Sequence, residues 1–186
     1  VLSQGSERAA KVWGNGADEC LITSKGAEAP AHMPHAKRSL ALIYAVNPFG
    51  ADHQSSEHDP YYEEGIGDFN LNRLKQIGLG APQPAYSLTE EKVRFAYETE
   101  VFYSMLDSLE LCQFVYGPTW TLYDGEQTAQ MINSVTGWDL TLNDLMEVGR
   151  RRLNLFRVFN AREGLVRKDD QLPKKFLKPL TGTGPT

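Results

Sequence analysis

The residues with the clearest chemical potential lie in two separate stretches of the sequence. The loop GADHQSSEH brings His53, Glu57 and His58 close together, and the string DSLELC ends in Cys112. Two imidazoles and a carboxylate can bind zinc or iron, but this spacing matches neither HExxH nor HxxEH, where one helical face holds the ligands. Because an unperturbed imidazole titrates near neutral pH, a histidine in this loop can instead transfer protons. The alternative is a surface loop whose side chains cap nearby turns.

The two cysteines and the other two histidines have simpler interpretations. Apolar residues follow Cys20, which predicts a packed thiol. Considered without the rest of its string, Cys112 has the same interpretation. A nucleophilic thiolate would need a nearby histidine and an electropositive setting, which the sequence does not reveal. His32 and His35 sit between prolines in PAHMPH, so we expect an extended surface segment there.

The long helix before Cys112 has both a start signal and an apolar stripe. Ser87 and Glu90 have the spacing of a capping box, in which each side chain satisfies a free backbone N–H of the first turn. Apolar residues then recur at spacings of three and four, without Gly or Pro before Gly117. The sequence therefore predicts a helix from about 88 to 115, with Cys112 on its buried face.

Two further helices are predicted towards the carboxyl end. Asp124 can cap a helix that ends near Gly137, and Thr141 with Asp144 can open another that runs to Asn160. A helical period marks the buried stripe of the last helix: Leu142, Leu145, Met146, Gly149, Leu153, Phe156 and Val158 or Phe159. Glycine in a helix costs about 1 kcal/mol relative to alanine, so we expect Gly149 to admit a second backbone.

The first half of the chain contains weaker helical signals. Residues 1–14 have a helical pattern, and the apolar run 39–46 favours a helix over a strand. Residues 47–70 form a long loop rich in Gly, Pro and Asp, which is commonly a mark of function. Residues 174–186 should be mostly extended with a frayed tail. The predicted fold class is all-α, a compact multi-helix domain with one long loop.

Composition and charge exclude several classes of protein. The 186 residues are 41% hydrophobic and 23% charged, as in an ordinary globular domain, and no apolar run approaches the ~20 residues of a membrane-spanning helix. Lys and Arg number 19 against 24 Asp and Glu, and a net charge of -5 does not favour nucleic acid binding. Two cysteines and the lack of a signal-peptide pattern at the start favour a cytoplasmic location.

Five segments, in one order through nearly the whole chain, carry a family resemblance. They are KGAEAPAH at 25–32, LALIYAVNPFGADH at 40–53, DSLELC at 107–112, TGWDLTLNDLMEVGRRRLNLFRVFNAREG at 136–164 and RKDDQLPKKF at 167–176. Together they resemble the carboxy-terminal part of the tungsten-containing aldehyde ferredoxin oxidoreductase family. This implies that residues 1–186 form the last helical domain of such an enzyme, with residues 1 to about 22 alternatively ending the preceding helical domain.

The resemblance also implies roles for the residues of DSLELC. In the family, a motif of the form Asp-x-x-Gly-Leu-Cys lies between a pterin and a [4Fe–4S] cluster. Transferred residue by residue, Asp107 contacts the pterin, Leu111 makes a neighbouring backbone contact, and Cys112 is the fourth cluster ligand. The usual Gly of this motif is Glu110 here.

His53, at the end of GADH, matches a family histidine near the tungsten, and the resemblance implies that it handles protons. Glu57 and His58 are weaker candidates. The implied cofactors are a tungsten or molybdenum bis-pterin and a [4Fe–4S] cluster. Both are expected to be incomplete in this chain, because the family has three cluster cysteines and a first pterin motif further upstream.

The implied function is oxidation of an aldehyde to a carboxylic acid, with ferredoxin or another electron-transfer protein as electron acceptor. The implied partners are the amino-terminal and middle domains of the same enzyme and a small aldehyde or acyl substrate. Alone, the chain is expected to be inactive. Two alternatives are a benzoyl-CoA reductase-type subunit with the same cofactors and a non-catalytic helical interaction module.

Overall fold

Helices dominate the fold in a computed structural model that describes residues 1–119 and 122–183. Seven α-helices lie within these residues: α1 (Ser6–Trp13), α2 (Arg38–Val46), α3 (Asp68–Lys75), α4 (Glu90–Ser108), α5 (Gln113–Tyr116), α6 (Gly125–Thr136) and α7 (Leu142–Arg162). Short 3-10 turns add Leu2–Gln4, Ala17–Cys20, Asp59–Tyr62, Arg167–Asp169 and Lys174–Leu177. The predicted mostly helical fold is confirmed. None of the described helices is both long and apolar enough to cross a membrane.

One antiparallel hairpin, absent from the all-α prediction, joins β1 (Thr23–Ser24) to β2 (Ala27–Glu28). Its turn residues Lys25 and Gly26 both have positive φ, 49° and 81°. This geometry matches the twist of a two-residue hairpin turn. The two-residue strands were too short to leave a period in the sequence. Helix α3 was also missed, because its eight residues DFNLNRLK carry few apolar side chains.

Helices α4 and α7 form the centre of the main core. A Cβ atom on Gly149 would lie only 2.2 Å from the Val101 carbonyl oxygen and 3.0 Å from the Met105 backbone nitrogen. The Ser104 hydroxyl donates to the Gly149 carbonyl oxygen at 3.1 Å. The close backbone approach expected at Gly149 is confirmed, and it brings the two helices together where their apolar faces meet.

Two of the three predicted helix starts are confirmed by their capping boxes. Asp124 and Gln127 exchange hydrogen bonds at the start of α6, and Thr141 and Asp144 do so at the start of α7. The predicted box at Ser87 is wrong, because its hydroxyl donates to the Pro84 carbonyl oxygen instead. Helix α4 is capped two residues later, by the Thr89 hydroxyl.

The second half of α7 departs from the predicted buried stripe. Phe156, Val158 and Phe159 are exposed, the last by 62%. This part of the helix is held by polar contacts rather than by apolar packing: Arg157 pairs with Asp170, and Asn160 donates to the Pro48 carbonyl oxygen. An apolar surface remains open on the other side of the helix.

The carboxy-terminal segment packs more closely than its composition suggested. Leu172 and Phe176 contact a second, smaller apolar cluster that includes Leu40 and Tyr44 of α2. A 3-10 turn covers Lys174–Leu177, where an extended segment was expected. The predicted frayed tail includes residues 184–186, which lie outside the described part of the chain.

Candidate functional site

His53 lies in a pocket of about 360 Å³ between the long loop, the segment before α2, and helices α4 and α5. The lining combines imidazole, ammonium, amide, hydroxyl and aromatic groups: His32, Lys37, His53, Gln54, Ser56, His58, Pro60, Tyr61, Tyr103, Gln113 and Phe114. The structure thus brings His53 and His58 together with two residues, His32 and Lys37, that come from a different part of the chain.

Three imidazole rings and one lysine form the polar wall of this pocket. The ring centre of His32 lies 4.8 Å from that of His53 and 4.7 Å from that of His58. The Lys37 Nζ atom lies 3.2 Å from His32 Nδ1 and 3.0 Å from His58 Nδ1. Since a lysine ammonium has only donors, both Nδ1 atoms accept, and both rings carry their proton on Nε2. His58 then donates from Nε2 to the His53 carbonyl oxygen at 2.9 Å.

The surroundings of His58 and His32 disfavour their charged forms. The pKa of His58 is lowered from 6.5 to about 4, first by burial and then by the charge of Lys37, while the hydrogen bond to the His53 carbonyl opposes the change. Burial and Lys37 also lower the pKa of His32. At His58 the unfolded chain therefore binds more protons than the folded one between pH 6.5 and about 4, so the contribution of this residue to stability falls as the pH decreases through that range.

The His53 ring differs from its two neighbours in its hydrogen bonds. Its Nδ1 atom is buried and has no hydrogen-bond partner within the described residues. The ring is held by its contact with His32 and by the His58 bond to its own backbone carbonyl. Of the three imidazole rings that line this pocket, the His53 ring is thus the one without a hydrogen bond to Lys37 among those described.

Glu57 anchors the loop and does not line the pocket. Its carboxylate is fully buried and accepts hydrogen bonds from the Tyr103 hydroxyl at 2.9 Å and from the Thr119 hydroxyl. It also accepts from the backbone N–H of His58 at 2.9 Å. These contacts tie the loop to α4 and to the segment after α5, which gives Glu57 a positioning role.

Asp59 provides a second buried anchor for the same loop. Its Oδ1 atom lies 3.0 Å from Lys92 Nζ of α4, and both side chains are completely buried. The carboxylate also accepts from the backbone N–H and the hydroxyl of Ser39, at 3.0 and 2.6 Å. Asp59 therefore caps the first turn of α2 from a distant loop, since the residue at the helix start, Lys37, makes no side-chain cap.

The stretch DSLELC lies at a helix end and not inside a long helix. Helix α4 ends at Ser108, where Leu111 N–H donates to the Leu106 carbonyl oxygen at 2.9 Å and Glu110 N–H to that of Asp107 at 3.3 Å. This is the Schellman motif, whose C′ residue, Glu110, adopts φ of +56°. The prediction of a helix to about 115 is wrong because this turn stops it.

The same turn changes the position expected for Cys112. The residue sits at the start of α5 and is exposed, so the predicted buried stripe does not include it. Asp107 is also exposed, and its Oδ2 atom lies 3.0 Å from Arg152. Leu111 is half-buried against the main core. The Cys112 thiol is thus exposed and free, whereas the exposed Asp107 carboxylate already pairs with Arg152.

Replacing Glu110 with glycine is expected to raise the free energy of unfolding by about 0.5 to 1 kcal/mol. Glycine avoids the steric penalty that a Cβ atom has at positive φ. This gain in folded-state free energy is larger than the cost of the extra conformational entropy that glycine has in the unfolded chain. Urea unfolding followed by circular dichroism measures the difference. Glu163→Gly is the matched control, because Glu163 also ends a helix but has φ of -82°. If both glycines had the same effect, the strain at Glu110 would be disproved.

Several other expectations are corrected by the tertiary structure. His32 and His35 do not form an extended surface segment: His32 enters the pocket, and His35 is buried with its Nε2 atom 2.8 Å from the Lys178 carbonyl oxygen. Cys20 is exposed and is not a packed thiol. Sequence reasoning missed His32 and Lys37 as pocket residues, since neither shares a local motif with His53.

The chain reaches the pocket directly after the string DSLELC. Gln113 and Phe114, which directly follow Cys112, line the same cavity as His53. Within residues 1–119 and 122–183, no set of three His, Cys, Asp or Glu side chains is arranged to hold a metal ion. The Lys37 ammonium, placed between two imidazoles, also opposes a cation there. Cys112, the residue before Gln113, presents an exposed thiol, which is a soft metal ligand.

Comparison with known proteins identifies the family of this chain. The model of a family described as aldehyde ferredoxin oxidoreductase, domains 2 and 3, matches residues 1–186, so the chain belongs to the aldehyde ferredoxin oxidoreductase family. The family resemblance found in the sequence is thereby confirmed.

Similar curated proteins include tungsten-containing aldehyde ferredoxin oxidoreductases from three organisms. The chain is 28% identical to the Pyrococcus furiosus protein over 185 residues, which are 99% of this chain and 27% of the relative. The Thermococcus kodakarensis protein gives the same values. The Pyrococcus horikoshii protein is 28% identical over 186 residues, 100% of this chain and 28% of the relative. The chain thus spans little more than a quarter of the length of these relatives.

Proposed function

We propose that this chain is the carboxy-terminal part of an oxidoreductase that converts an aldehyde to a carboxylic acid and passes the electrons to ferredoxin or a similar protein. The observation that carries the proposal is the shared pocket, which His53 and the two residues after Cys112 line together. A proton-transferring group and an electron-accepting centre must lie close to one substrate in such a reaction. The names of the relatives support the same class of chemistry.

The residues at the end of α4 fit the proposed cofactors. Cys112 offers an exposed thiol, and Asp107 offers an exposed carboxylate five residues earlier, across the Schellman turn. Cys112 would ligate a [4Fe–4S] cluster, and Asp107 and the Leu111 backbone would contact a pterin. When bound, the tungsten or molybdenum bis-pterin accepts two electrons from the substrate and the cluster carries them onward.

In this proposal, His53 accepts the proton that is released as the aldehyde is oxidised. Its ring nitrogens are free of the Lys37 contacts that hold His32 and His58, and its Nδ1 atom lacks a partner in the described part of the chain. Glu57 and Asp59 support this role indirectly, because their buried contacts with α4 hold the loop in place. A pre-positioned base avoids reorganisation during the reaction.

The exposed apolar surface of α7 supports the proposed contact with other domains of the same enzyme. Leu155, Val158 and Phe159 border a cavity of about 580 Å³ together with Phe49. Large apolar side chains clustered on a surface commonly mark an interface. We propose that the amino-terminal or middle domain covers this surface in the full-length protein.

The test of the proposed function is Cys112→Ser in the full-length protein, with the cofactors supplied during expression. We expect a lower iron content per protein and an altered cluster EPR signal, because serine replaces a thiolate ligand by a harder hydroxyl. Cys20→Ser is the matched control, since Cys20 is the other exposed thiol of the chain. Unchanged iron and EPR in the Cys112 variant would reject the cluster assignment.

A further inference from the structure

Lys37 is the feature of the His53 pocket that the proposed function leaves unexplained. Among the described residues that line the cavity, Lys37 is the one that belongs to the lysine, arginine, aspartate and glutamate types, so no aspartate or glutamate is part of that lining. The buried carboxylate nearby, on Asp59, is already paired with Lys92 and with Ser39. The Asp59 charge still acts on Lys37, since it raises the Lys37 pKa, but its oxygens bond to Lys92 and Ser39. Among the described residues, Lys37 therefore has no carboxylate in direct contact.

Two side chains of the polar wall have hydrogen-bond donors to spare. An ammonium has three N–H donors, and the imidazoles of His32 and His58 take two of those on Lys37. The third has no acceptor in the described part of the chain. Because His32 accepts at Nδ1, its Nε2 atom carries a proton and is a second donor. His58 uses its own Nε2 proton on the His53 backbone.

We propose that Lys37 and His32 bind an anionic group of the substrate, a carboxylate, so that the substrate is a small aldehyde that also bears a carboxylate. A carboxylate accepts hydrogen bonds from both donors and balances the ammonium charge, whereas a metal cation is repelled by it. Burial lowers the pKa of Lys37 and the Asp59 charge partly opposes this change, so a bound anion in direct contact would raise the pKa further and favour the charged ammonium. This inference rests on the proposed function and specifies its substrate class.

The geometry places such a carboxylate beside the proposed base. The ring centres of His32 and His53 lie 4.8 Å apart, so a ligand held by His32 and Lys37 would lie close to His53. A pocket of about 360 Å³ is near the lower end of ligand-binding cavities, which suits a molecule of roughly ten non-hydrogen atoms. Lys37 and His32 thus act in specificity, while His53 acts on the reacting group.

The test compares benzoate with benzamide, which have the same shape but differ in charge, by calorimetric and NMR titration of the full chain. We expect benzoate to bind at least tenfold more tightly, with shifts at the His32 ring. Lys37→Met should weaken benzoate binding at least tenfold, Lys37→Arg should retain most of it, and Lys11→Met, at an exposed position on α1, should not change it. Circular dichroism checks that each variant is folded.

Equal binding of benzoate and benzamide would overturn the inference, as would an unchanged benzoate affinity in a folded Lys37→Met variant or no binding of benzoate. Because benzoate also resembles the carboxylic acid product, the full-length enzyme should in addition show at least tenfold higher kcat/KM for 4-formylbenzoate than for 4-formylbenzamide, and equal values would overturn the inference. The titration needs neither tungsten nor iron. Its outcome is therefore distinguishable from a failure of the cluster assignment, which depends on the iron content of the Cys112→Ser variant.

Discussion

Lys92→Met is expected to lower the free energy of unfolding of this chain by about 3–5 kcal/mol, the usual cost of leaving one member of a buried ion pair without its partner. Methionine retains most of the apolar stem of Lys92 but removes the ammonium that lies 3.0 Å from Asp59. The Asp59 carboxylate would then stay fully buried with only the Ser39 and Leu40 hydrogen bonds. A negative charge in that environment is poorly stabilised.

Guanidinium unfolding of the wild type and the variant measures this effect. Lys11→Met is the matched control, because Lys11 is exposed and the same substitution there should change stability by less than about 0.5 kcal/mol. Adding Asp59→Asn to Lys92→Met removes the unpaired charge, so the double variant should be more stable than the single variant. A loss below about 1 kcal/mol for Lys92→Met would contradict a stabilising buried pair.

The Lys92 variant should also disturb the pocket. Asp59 immediately follows His58 in the chain, and it connects the loop to both α2 and α4. If the pair breaks, His58 should lose its position between Lys37 and the His53 backbone. The ring signals of His58 and His32 in NMR spectra would report that change before the chain unfolds globally.

His53→Asn in the full-length protein is expected to lower turnover about 10²- to 10⁴-fold, the usual range for loss of a general acid or base. Asparagine is smaller but polar, and it cannot take up a proton at working pH. Tungsten and iron contents should stay near wild-type values, because the ligand assigned in this chain is Cys112 and not His53. This prediction rests on the proposed function.

Steady-state rates and metal analysis, measured across a range of pH, test the role of His53. His35→Asn is the matched control, since His35 is buried outside the pocket against the carboxy-terminal segment. Its turnover should remain within a few-fold of wild type. Near-normal rates for His53→Asn over the whole pH range would remove His53 from the mechanism, and a loss of tungsten would indicate a structural role instead.

Local sequence determined the helices whose signals lie within one or two turns. The capping pairs at Asp124 and Thr141 involve residues three positions apart, and the apolar residues in the first half of α7 recur every three or four positions. Both signals are therefore visible in the sequence without knowledge of the fold. Gly149 was identified in the same way, because glycine within a helical period usually indicates close packing. The family resemblance then linked His53 and Cys112 to one kind of chemistry.

The way in which the pocket residues come together depends on the tertiary structure. His32 lies 21 residues before His53, and Lys37 binds two imidazoles from different segments, so no local spacing predicts their contact. The end of α4 was missed because Glu110 occupies a conformation that normally signals itself by glycine. Burial of the Asp59–Lys92 pair likewise depends on the packing of a loop against α2 and α4. Helix caps and periods reflect neighbours along the chain, whereas pockets and buried charges depend on contacts between distant segments, and those are established only when the whole domain packs.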